Sequence, residues 1–178
     1  MPVYTRYGDS GMTRLSNGRV VSKDSPYIQV CGDIDELNSL LGVAIAFISD
    51  NDIQQLLMQL QCDLFELCAD IVSVPSNDST QYRIDEKHVK TLEEFIDSFE
   101  ARLPKLSKFV LPGGTKGASL LHLARAVCRR AERSLVRLSK CEPINEEALH
   151  YLNRLSDLLF VLARYVNYTA GEVEKTWD

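Results

Sequence analysis

The sequence contains no apolar run near the roughly 20 residues that a membrane-spanning helix needs, so we expect no membrane partner. Residues 2–19 are polar and contain glycine, and we therefore expect no secretory signal peptide. The five cysteines are odd in number and include no C-x-x-C pair, which predicts buried free thiols in the reducing environment of the cytoplasm. Acidic residues outnumber basic ones by 25 to 20, which argues against a nucleic-acid partner.

Several familiar catalytic patterns are also missing. The chain has no G-x-x-x-x-G-K-[ST] phosphate loop and no recognisable Ser-His-Asp or Cys-His arrangement. One motif, Glu147-x-x-His150, has the spacing used in di-metal helical bundles. Such sites need a second motif and two further glutamates, and the other candidate, Asp85-x-x-His88, stands at a predicted helix start. A di-metal site is therefore the weaker interpretation.

Apolar residues recur at helical spacing through most of the chain, and no segment is typical of a strand. Asp33 is a possible N-cap of the first periodic segment, and Asn145 of the last. Such segments, joined by short links, predict an all-α antiparallel bundle in one domain, with residues 1–30 as a non-periodic segment before a bundle of residues 31–178. A polar loop is expected at residues 75–81. The four or five predicted helices cover roughly residues 33–49, 52–74, 86–102, 115–140 and 145–170.

The helix predicted at residues 115–140 carries an unusual row of cations. Its arginines follow each other at four-residue spacing, where like charges repel by about 0.2–0.5 kcal/mol per pair. A solvated basic face is the ordinary explanation of such a row, and a site for a small polyanion is the functional one. Arginine suits bidentate contacts with phosphate, and its use at every position favours the second explanation. The row consists of Arg125, Arg129, Arg133 and Arg137.

The two sides of this helix differ in character. His122 and Glu132 fall on the same arc as the arginines, whereas the opposite side is a continuous apolar stripe. We therefore expect one face to pack in the core and the other to bind an anion.

The N-terminal segment has the chemistry of a phosphate-holding loop. Residues 5–13 combine two glycines with hydroxyl side chains and Arg6. Glycine lets the backbone approach a ligand closely, and exposed N–H groups bind anionic oxygens. Lys23 would add a further cation, and Asp9 would help to hold the Mg²⁺ ion that accompanies a triphosphate. A flexible arm is the alternative that this segment, taken alone, leaves open.

Five segments of the chain point to one family when they are taken together. They are the glycine-containing N-terminal loop, Gly32-Asp-Ile-Asp-Glu-Leu-Asn38, Phe109-Val-Leu-Pro-Gly-Gly114, Arg125 to Arg133, and Asn153-Arg-Leu-Ser-Asp157. In this order they resemble the ATP:cob(I)alamin adenosyltransferases of the propanediol-utilisation type, from about Tyr4 to Trp177. The resemblance implies a five-helix bundle that assembles as a homotrimer, with active sites between neighbouring subunits. It also implies transfer of the 5′-deoxyadenosyl group of ATP to the cobalt of cob(I)alamin, which gives adenosylcobalamin and inorganic triphosphate.

The resemblance also assigns roles to single residues. Asp35 and Arg125 are implied to form an ion pair between subunits beside the corrin, and Phe109 to fill the lower axial side of cobalt. Arg129 is implied to act in catalysis on the ATP phosphates. Mg²⁺ is expected with ATP, cobalamin is a substrate, and the metal ligands are not assigned. The residues implied to bind ATP are Thr5, Arg6, Tyr7, Gly8, Asp9, Ser10, Gly11, Met12, Thr13, Arg14, Lys23, Arg129, Arg130, Glu132, Arg133 and Asn153.

Two positions depart from the pattern of the family. Ser10 stands where the family commonly has a lysine, and we expect Arg6 or Arg14 to cover the lost phosphate contact. Cys31 stands where an aromatic residue is common, which we interpret as a packing difference. The partners implied are ATP, cob(II)alamin or cob(I)alamin, an unspecified reductase, and an enzyme that depends on adenosylcobalamin.

Two other classes of function are open at this point. One is a helical bundle that carries cobalamin without catalysis and uses ATP as an effector. The other is a phosphorelay bundle with His122 as the phosphoacceptor, which would leave the N-terminal loop without a task.

Overall fold

The structure, a computed structural model, describes residues 4, 6–73 and 82–177. Thr5 and the polar loop predicted at residues 75–81 lie outside the described residues. Five helices dominate the fold, which confirms the expected all-α class. They are α1 (Pro26–Phe47), α2 (Asn51–Val72), α3 (Glu86–Glu100), α4 (Lys116–Ser139) and α5 (Glu146–Thr169).

Helix α1 begins at Pro26, so the predicted start at Asp33 is wrong. Ser25 occupies the N-cap position, and proline suits the first turn because its missing N–H has no helical partner there. Tyr27 and Val30 are buried and extend the apolar stripe of α1 upstream. The sequence obscured this first part of the helix because it contains a proline and a glycine, which are typical of turns.

The other four helices lie within two residues of their predicted bounds. Asn145 is confirmed as the N-cap of α5, since its side chain accepts a hydrogen bond from the Glu147 backbone N–H at 3.1 Å. Asp85 caps α3 and forms a capping box with His88, so both members of that motif serve the helix start. Within the described ranges, no group of three His, Cys, Asp or Glu side chains is placed to hold a metal ion.

Four short strands form two antiparallel ribbons that the sequence analysis did not predict. Strands β1 (Met12–Arg14) and β2 (Val20–Ser22) form a hairpin before α1. Strands β3 (Phe109–Val110) and β4 (Thr176–Trp177) join the segment before α4 to the segment after α5. Strands of two or three residues are too short to show an alternating pattern, which explains the omission.

Helix α4 lies at the centre of the bundle. It packs on α1 on one side and on α5 on the other, while α2 packs on α1 and α3 packs on α5. The alanines of its buried stripe, Ala118, Ala124 and Ala131, are fully inaccessible and allow the neighbouring helices to approach closely. Along the part of the chain that is described, no helix is long and apolar enough to cross a membrane.

All five cysteines are free thiols, but they are not all buried. Cys128 is buried in α4, whereas Cys62 and Cys141 are exposed. The prediction of buried thiols is therefore wrong for these two. Cys62 lies on the outer face of α2, where Phe65 is 68% exposed, so this helix carries apolar residues on both of its sides.

A buried carboxylate ties α1 to α4. Asp33 is 4% exposed and accepts hydrogen bonds from Ser134 Oγ at 2.6 Å and from Arg130 Nε at 3.3 Å. Gln29 Nε2 donates a third hydrogen bond to it at 3.1 Å. Because a buried charge is stable only when its oxygens are satisfied, this cluster fixes the rotation of α4 relative to α1. It thereby sets which arginines of α4 face outward.

We predict that Asp33→Asn lowers the free energy of unfolding by about 2–4 kcal/mol, because Arg130 and Ser134 lose a charged acceptor in a buried position. Urea unfolding at a fixed protein concentration, followed by the helical circular dichroism signal, measures this change. Asp24→Asn, at an exposed position before α1, is the matched control and should shift the value by less than about 0.5 kcal/mol. Equal stability of the two variants would show that the Asp33 cluster does not hold the helices together.

Candidate active site

The row of arginines on α4 lies along cavities between this helix and its neighbours. Arg125 and Arg129 line a cavity of about 560 Å³ that α3 and α5 complete. Arg129 also lines a second cavity of about 340 Å³, together with Arg133, Arg137 and Glu132. None of the arginines of this row forms an ion pair or a hydrogen bond with a carboxylate in the described parts of the chain. Their charges are therefore available to an anionic ligand.

Arg130 behaves differently from the row. Its guanidinium contacts Asp33 and Glu36 of α1, so it points away from the cavities that Arg129 lines. Two carboxylate partners in its own chain already compensate this charge. Arg130 thus links α1 and α4, and its assignment to the ATP phosphates stays a prediction without a supporting contact.

Arg125 is a half-buried cation without an anionic partner. Its Nε atom is buried, and no hydrogen bond to it is present among the described residues. Asp35, its expected partner, is exposed on α1 and forms no ion pair within the described chain. The two residues are therefore not brought together in one subunit, and each has a charge free for a contact outside it. A half-buried guanidinium left unpaired is costly, which favours a partner from elsewhere.

Charges of both signs line the cavity of Arg125 and Arg129. Arg154 lies between Glu93 and Asp157, with nitrogen–oxygen distances of 3.1 and 2.7 Å. This network crosses from α5 to α3 and compensates the acidic side of the cavity. Asp97 and Glu100 of α3 line the cavity as well, yet no carboxylate of the described chain forms an ion pair with Arg125 or Arg129.

Asn153, a residue predicted to bind ATP, lies beside the same surface. Its Nδ2 donates a hydrogen bond to Glu132 Oε1 at 3.0 Å. This contact brings α4 and α5 together next to Arg129 and Arg133, while ATP binding by Asn153 and Glu132 stays a prediction.

His122 is buried, so the prediction that it lies on the exposed arc with the arginines is wrong. It is 3% exposed and its ring lies 6.0 Å from that of Phe160. Burial, together with the nearby Arg125 charge, lowers the pKa of His122 from 6.5 to about 4. At neutral pH it is therefore an uncharged core residue. A phosphoacceptor must reach a second protein, so this burial removes the support for a phosphorelay bundle.

The N-terminal loop is brought together with Lys23 by the β1–β2 hairpin. The Lys23 backbone N–H donates to Gly11 O at 2.8 Å, and Gly11 has φ +79°, in the region that favours glycine. A Cβ atom added at Gly8 would stand 2.8 Å from Lys23 Nζ, so the ammonium group lies directly over the Gly8 backbone. The loop and Lys23 thus lie on one surface, and their binding of the ATP phosphates stays a prediction.

The hairpin and the arginine row form no hydrogen bond or ion pair with each other in the described chain. Arg14 lies over the Tyr7 ring and donates to its hydroxyl at 3.3 Å, and Arg6 lies over the ring of Tyr4. No hydrogen bond or ion pair of the described chain joins Arg6, Arg14 or Lys23 to α4. The two groups of residues expected to bind the ATP phosphates therefore make no direct polar contact with each other within the described chain.

Phe109 is an exposed aromatic residue on a fixed segment. It is 78% exposed, and its strand β3 pairs with β4, where Trp177 is 66% exposed. The two rings have centroids 6.4 Å apart. Phe109, Arg125 and Phe160 line a largely apolar cavity of about 710 Å³. A large exposed apolar surface of this kind is typical of a binding site for an apolar ligand face.

The turn that follows Phe109 is held by Asn167 of α5. Asn167 is 1% exposed; its Nδ2 donates to Gly113 O and its Oδ1 accepts from the Thr115 N–H, both at 3.0 Å. A Cβ atom at Gly114, where φ is +99°, would stand 2.2 Å from Asn167 Oδ1. Glycine is required there because the backbone touches this side chain, and the turn is rigid as a result.

Comparison with known proteins shows the family of the chain. A family model described as cobalamin adenosyltransferase matches residues 3–166. The chain belongs to the cobalamin adenosyltransferase family. A corrinoid adenosyltransferase of Bacillus subtilis is 46% identical over 175 residues, which cover 96% of this chain and 89% of that protein. A cobalamin adenosyltransferase of Cupriavidus metallidurans is 42% identical over 177 residues, which cover 99% of this chain and 94% of that one.

Solved structures show the same fold. A variant of a PduO-type ATP:corrinoid adenosyltransferase from Lactobacillus reuteri, complexed with cobalamin and ATP, matches with a TM-score of 0.94 at 35% identity. The match covers 99% of this chain and 96% of that one. A second variant of that protein, also complexed with cobalamin and ATP, has a TM-score of 0.92 at 36% identity. The expected five-helix adenosyltransferase fold is therefore confirmed.

Sequence reasoning missed two buried polar residues that hold the segment around Phe109. Arg164 and Asn167 both lie on α5, where they look like polar interruptions of a leucine-rich helix. Asn167 and Arg164 are buried, yet their partners are backbone and tail atoms that no sequence pattern reveals. The one available signal was that α5 carries polar side chains inside its apolar stripe.

The pKa of His122 yields a prediction about stability. Because the folded-state pKa is depressed, the unfolded chain takes up a proton first as the pH falls below 6.5, and stability decreases from there down to about pH 4. At pH 5 this loss is about 2 kcal/mol relative to pH 8. His122→Gln should remove that share of the pH dependence. Urea unfolding of both proteins at the two pH values tests it, and parallel losses of stability would contradict it.

Proposed function

We propose that this protein transfers the 5′-deoxyadenosyl group of ATP to the cobalt of cob(I)alamin and releases inorganic triphosphate. The observation that carries the proposal is the arginine row of α4, which has no ion-pair partner in the described chain and lies beside the exposed ring of Phe109, in a chain of the cobalamin adenosyltransferase family. The row suits a polyphosphate, and the apolar cavity suits one face of a corrin. Both are needed for this reaction, whereas neither alone would suggest it.

The ATP phosphates are assigned to two surfaces. One is the row of α4, with Arg129 and Arg133 as its central members and with Glu132 and Asn153 beside them. The other is the basic hairpin of residues 6–14, in which Lys23 lies over the glycine backbone. Ser10 removes one cation that the family commonly has there, and Arg6 and Arg14 are exposed and able to replace it.

Mg²⁺ is proposed to arrive with ATP. Magnesium keeps most of its waters and binds through one or two carboxylates together with substrate phosphates. Asp9 is the exposed carboxylate inside the hairpin loop, and a single acid fits this mode of binding. When bound, the ion would neutralise charge on the triphosphate, while the arginines of α4 orient it.

The chemistry follows from the nucleophile. The Co(I) centre of cob(I)alamin is a strong nucleophile toward carbon and needs no general base. The cobalt–carbon bond therefore forms at C5′ as the C5′–O bond breaks. The electron pair of that bond leaves with the triphosphate. Arg129 and its neighbours stabilise the growing negative charge, which is where fixed cations accelerate such a step most.

The corrin is assigned to the cavity of Phe109, Arg125 and Phe160. We propose that Phe109 lies under the cobalt and excludes water and the base ligand from the lower axial position. A cob(II)alamin without a lower ligand accepts an electron more readily, which is how a protein tunes a metal by controlling its axial ligand. An external reductase is proposed to supply the electron, and an enzyme that depends on adenosylcobalamin to receive the product.

We propose further that three chains form the active unit. The hairpin and the α4 row form no hydrogen bond or ion pair with each other in the described chain, and Asp35 and Arg125 each have a charge without a partner in it. A neighbouring subunit that brings its Asp35 to Arg125 would complete the site. The free thiols fit a location in the cytoplasm, where reducing conditions preserve them. The chain is proposed to be one domain, with its segment before α1 serving the nucleotide.

The direct test is incubation of the protein with ATP, Mg²⁺ and chemically reduced cobalamin. We expect the absorption spectrum of adenosylcobalamin and one inorganic triphosphate per product. A cobalamin carrier with ATP as an effector would bind both compounds and release no triphosphate. Release of orthophosphate or diphosphate in place of triphosphate would also contradict the proposed reaction.

Arg129→Ala should reduce kcat/KM for ATP by roughly ten- to a hundredfold, because it removes a charge-assisted phosphate contact of about 1.5–3 kcal/mol. Steady-state kinetics with preformed cob(I)alamin measure this loss, and the helical circular dichroism signal should not change. Lys90→Ala, at an exposed position on α3, is the matched control for the loss of one surface cation. Kinetics of Arg129→Ala that equal those of the control would refute the phosphate contact.

Phe109→Ala should separate reduction from transfer. With cob(II)alamin and a weak reductant the rate should fall at least about tenfold, since water or the base can return to the lower axial site. With preformed cob(I)alamin most of the rate should remain, and KM for ATP should change little. Leu106→Ala, which also lines the apolar cavity, is the control for lost apolar area alone. Equal losses in both assays would show that Phe109 only shapes the cavity.

A further inference from the structure

A buried arginine at the end of α5 holds the two segments that carry the exposed aromatic residues. The Arg164 side chain is 3% exposed, and its Nε donates to Glu174 Oε2 at 3.1 Å. Its second donor, Nη2, binds Pro104 O at 2.9 Å. One guanidinium thus joins the segment before Phe109 to the segment after α5.

Both of these segments lead directly into the β3–β4 ribbon. The Leu111 N–H donates to Lys175 O at 2.8 Å, next to Glu174, and Phe109 is paired with Trp177 two residues farther along the tail. At the other end of the Phe109 segment, Asn167 holds the glycine turn. Side chains from the last two turns of α5 therefore bind residues 104–114 at both ends, through Pro104 and Gly113. The Phe109 ring between them stays exposed.

The contacts of Arg164 are not those of an ordinary core residue. Its hydrogen bonds go to the tail and to the Pro104 carbonyl, and it has no such bond with another helix among the described residues. A cavity of about 420 Å³ lies between the same two segments, so close packing alone does not fix them. Their relative position depends on a directional contact, which a planar guanidinium provides.

We propose that Arg164 and Glu174 are positioning residues for Phe109: their ion pair, buried on the Arg164 side, fixes β4 against β3 and so keeps the Phe109 ring in place at the lower face of cobalt. This inference rests on the role proposed for Phe109. It adds a specific requirement, namely that the reduction of cob(II)alamin depends on a salt bridge remote from both substrates. Neither residue touches the reacting atoms.

The test uses two variants. Glu174→Gln keeps the size of the side chain and removes its charge, and Arg164→Lys keeps the charge but removes the planar guanidinium that contacts Glu174 and Pro104 at once. The control is Glu172→Gln, an exposed change on the same tail. Trp177 is the sole tryptophan of the chain, so its fluorescence anisotropy reports the order of β4 without interference. The whole chain is used throughout with saturating Mg²⁺; ATP is saturating in the rate comparisons and is varied only to determine its KM.

We expect both variants to lose at least about tenfold in the rate from cob(II)alamin with a weak reductant, and less than about threefold from preformed cob(I)alamin. Trp177 anisotropy should fall, KM for ATP should stay constant, and Glu174→Asp should recover part of the lost rate. Equal losses from both cobalamin states, or wild-type rates despite a lowered anisotropy, would overturn the proposal.

Failure of this inference is distinguishable from failure of the proposed function. If wild-type protein forms no adenosylcobalamin from cob(I)alamin, the function itself is wrong. If wild-type protein is active and Phe109→Ala shows the selective loss, but Glu174→Gln matches the Glu172→Gln control, only the positioning role is wrong.

Discussion

One face of α4 carries a row of arginines without an ion-pair partner in the described chain, and the packing of the bundle keeps this row in place. The arginines of the row repel one another, and no carboxylate of the described chain is paired with them. The helix stays in place because its other face is buried and because Asp33 binds Arg130 and Ser134 from α1. The packing of the bundle thereby maintains a local charge that a protein of net charge −5 would not otherwise concentrate. That charge is then available to stabilise a leaving triphosphate.

The position of Phe109 depends on α5, as the position of the arginine row depends on α4. Phe109 is exposed on a segment that would be mobile if nothing held it, and Arg164 and Asn167 hold it from the buried side. The helix contributes these two side chains from its final turns, close to where the tail leaves it. Rigid placement of an exposed ring is what a role at a metal centre requires, since a loose side chain would not exclude water.

The long helices were predictable because each repeats its apolar positions over many turns, and four of the five lie within two residues of prediction. The start of α1 was not, because Pro26 and a glycine interrupt the pattern although Tyr27 and Val30 are buried. The sequence also indicated which residues would form the candidate site, namely the arginine row and the glycine loop. The geometry of the site was not predictable: the burial of His122 depends on Phe160 of α5, and the two-residue strands at Phe109 depend on a pairing between distant segments. Contacts between distant segments produce no repeating pattern of apolar residues, so the sequence alone does not predict them.

We propose that two chains share each site, and mixed subunits show whether they do. Asp35→Ala and Arg125→Ala chains, each of low activity alone, are unfolded together at equal amounts and refolded. In a cyclic trimer, about a quarter of the interfaces then combine an intact Asp35 with an intact Arg125 from the neighbouring chain. We predict that the mixture recovers about a quarter of the wild-type adenosylcobalamin formation per site. A mixture no more active than the separate variants would contradict the shared site.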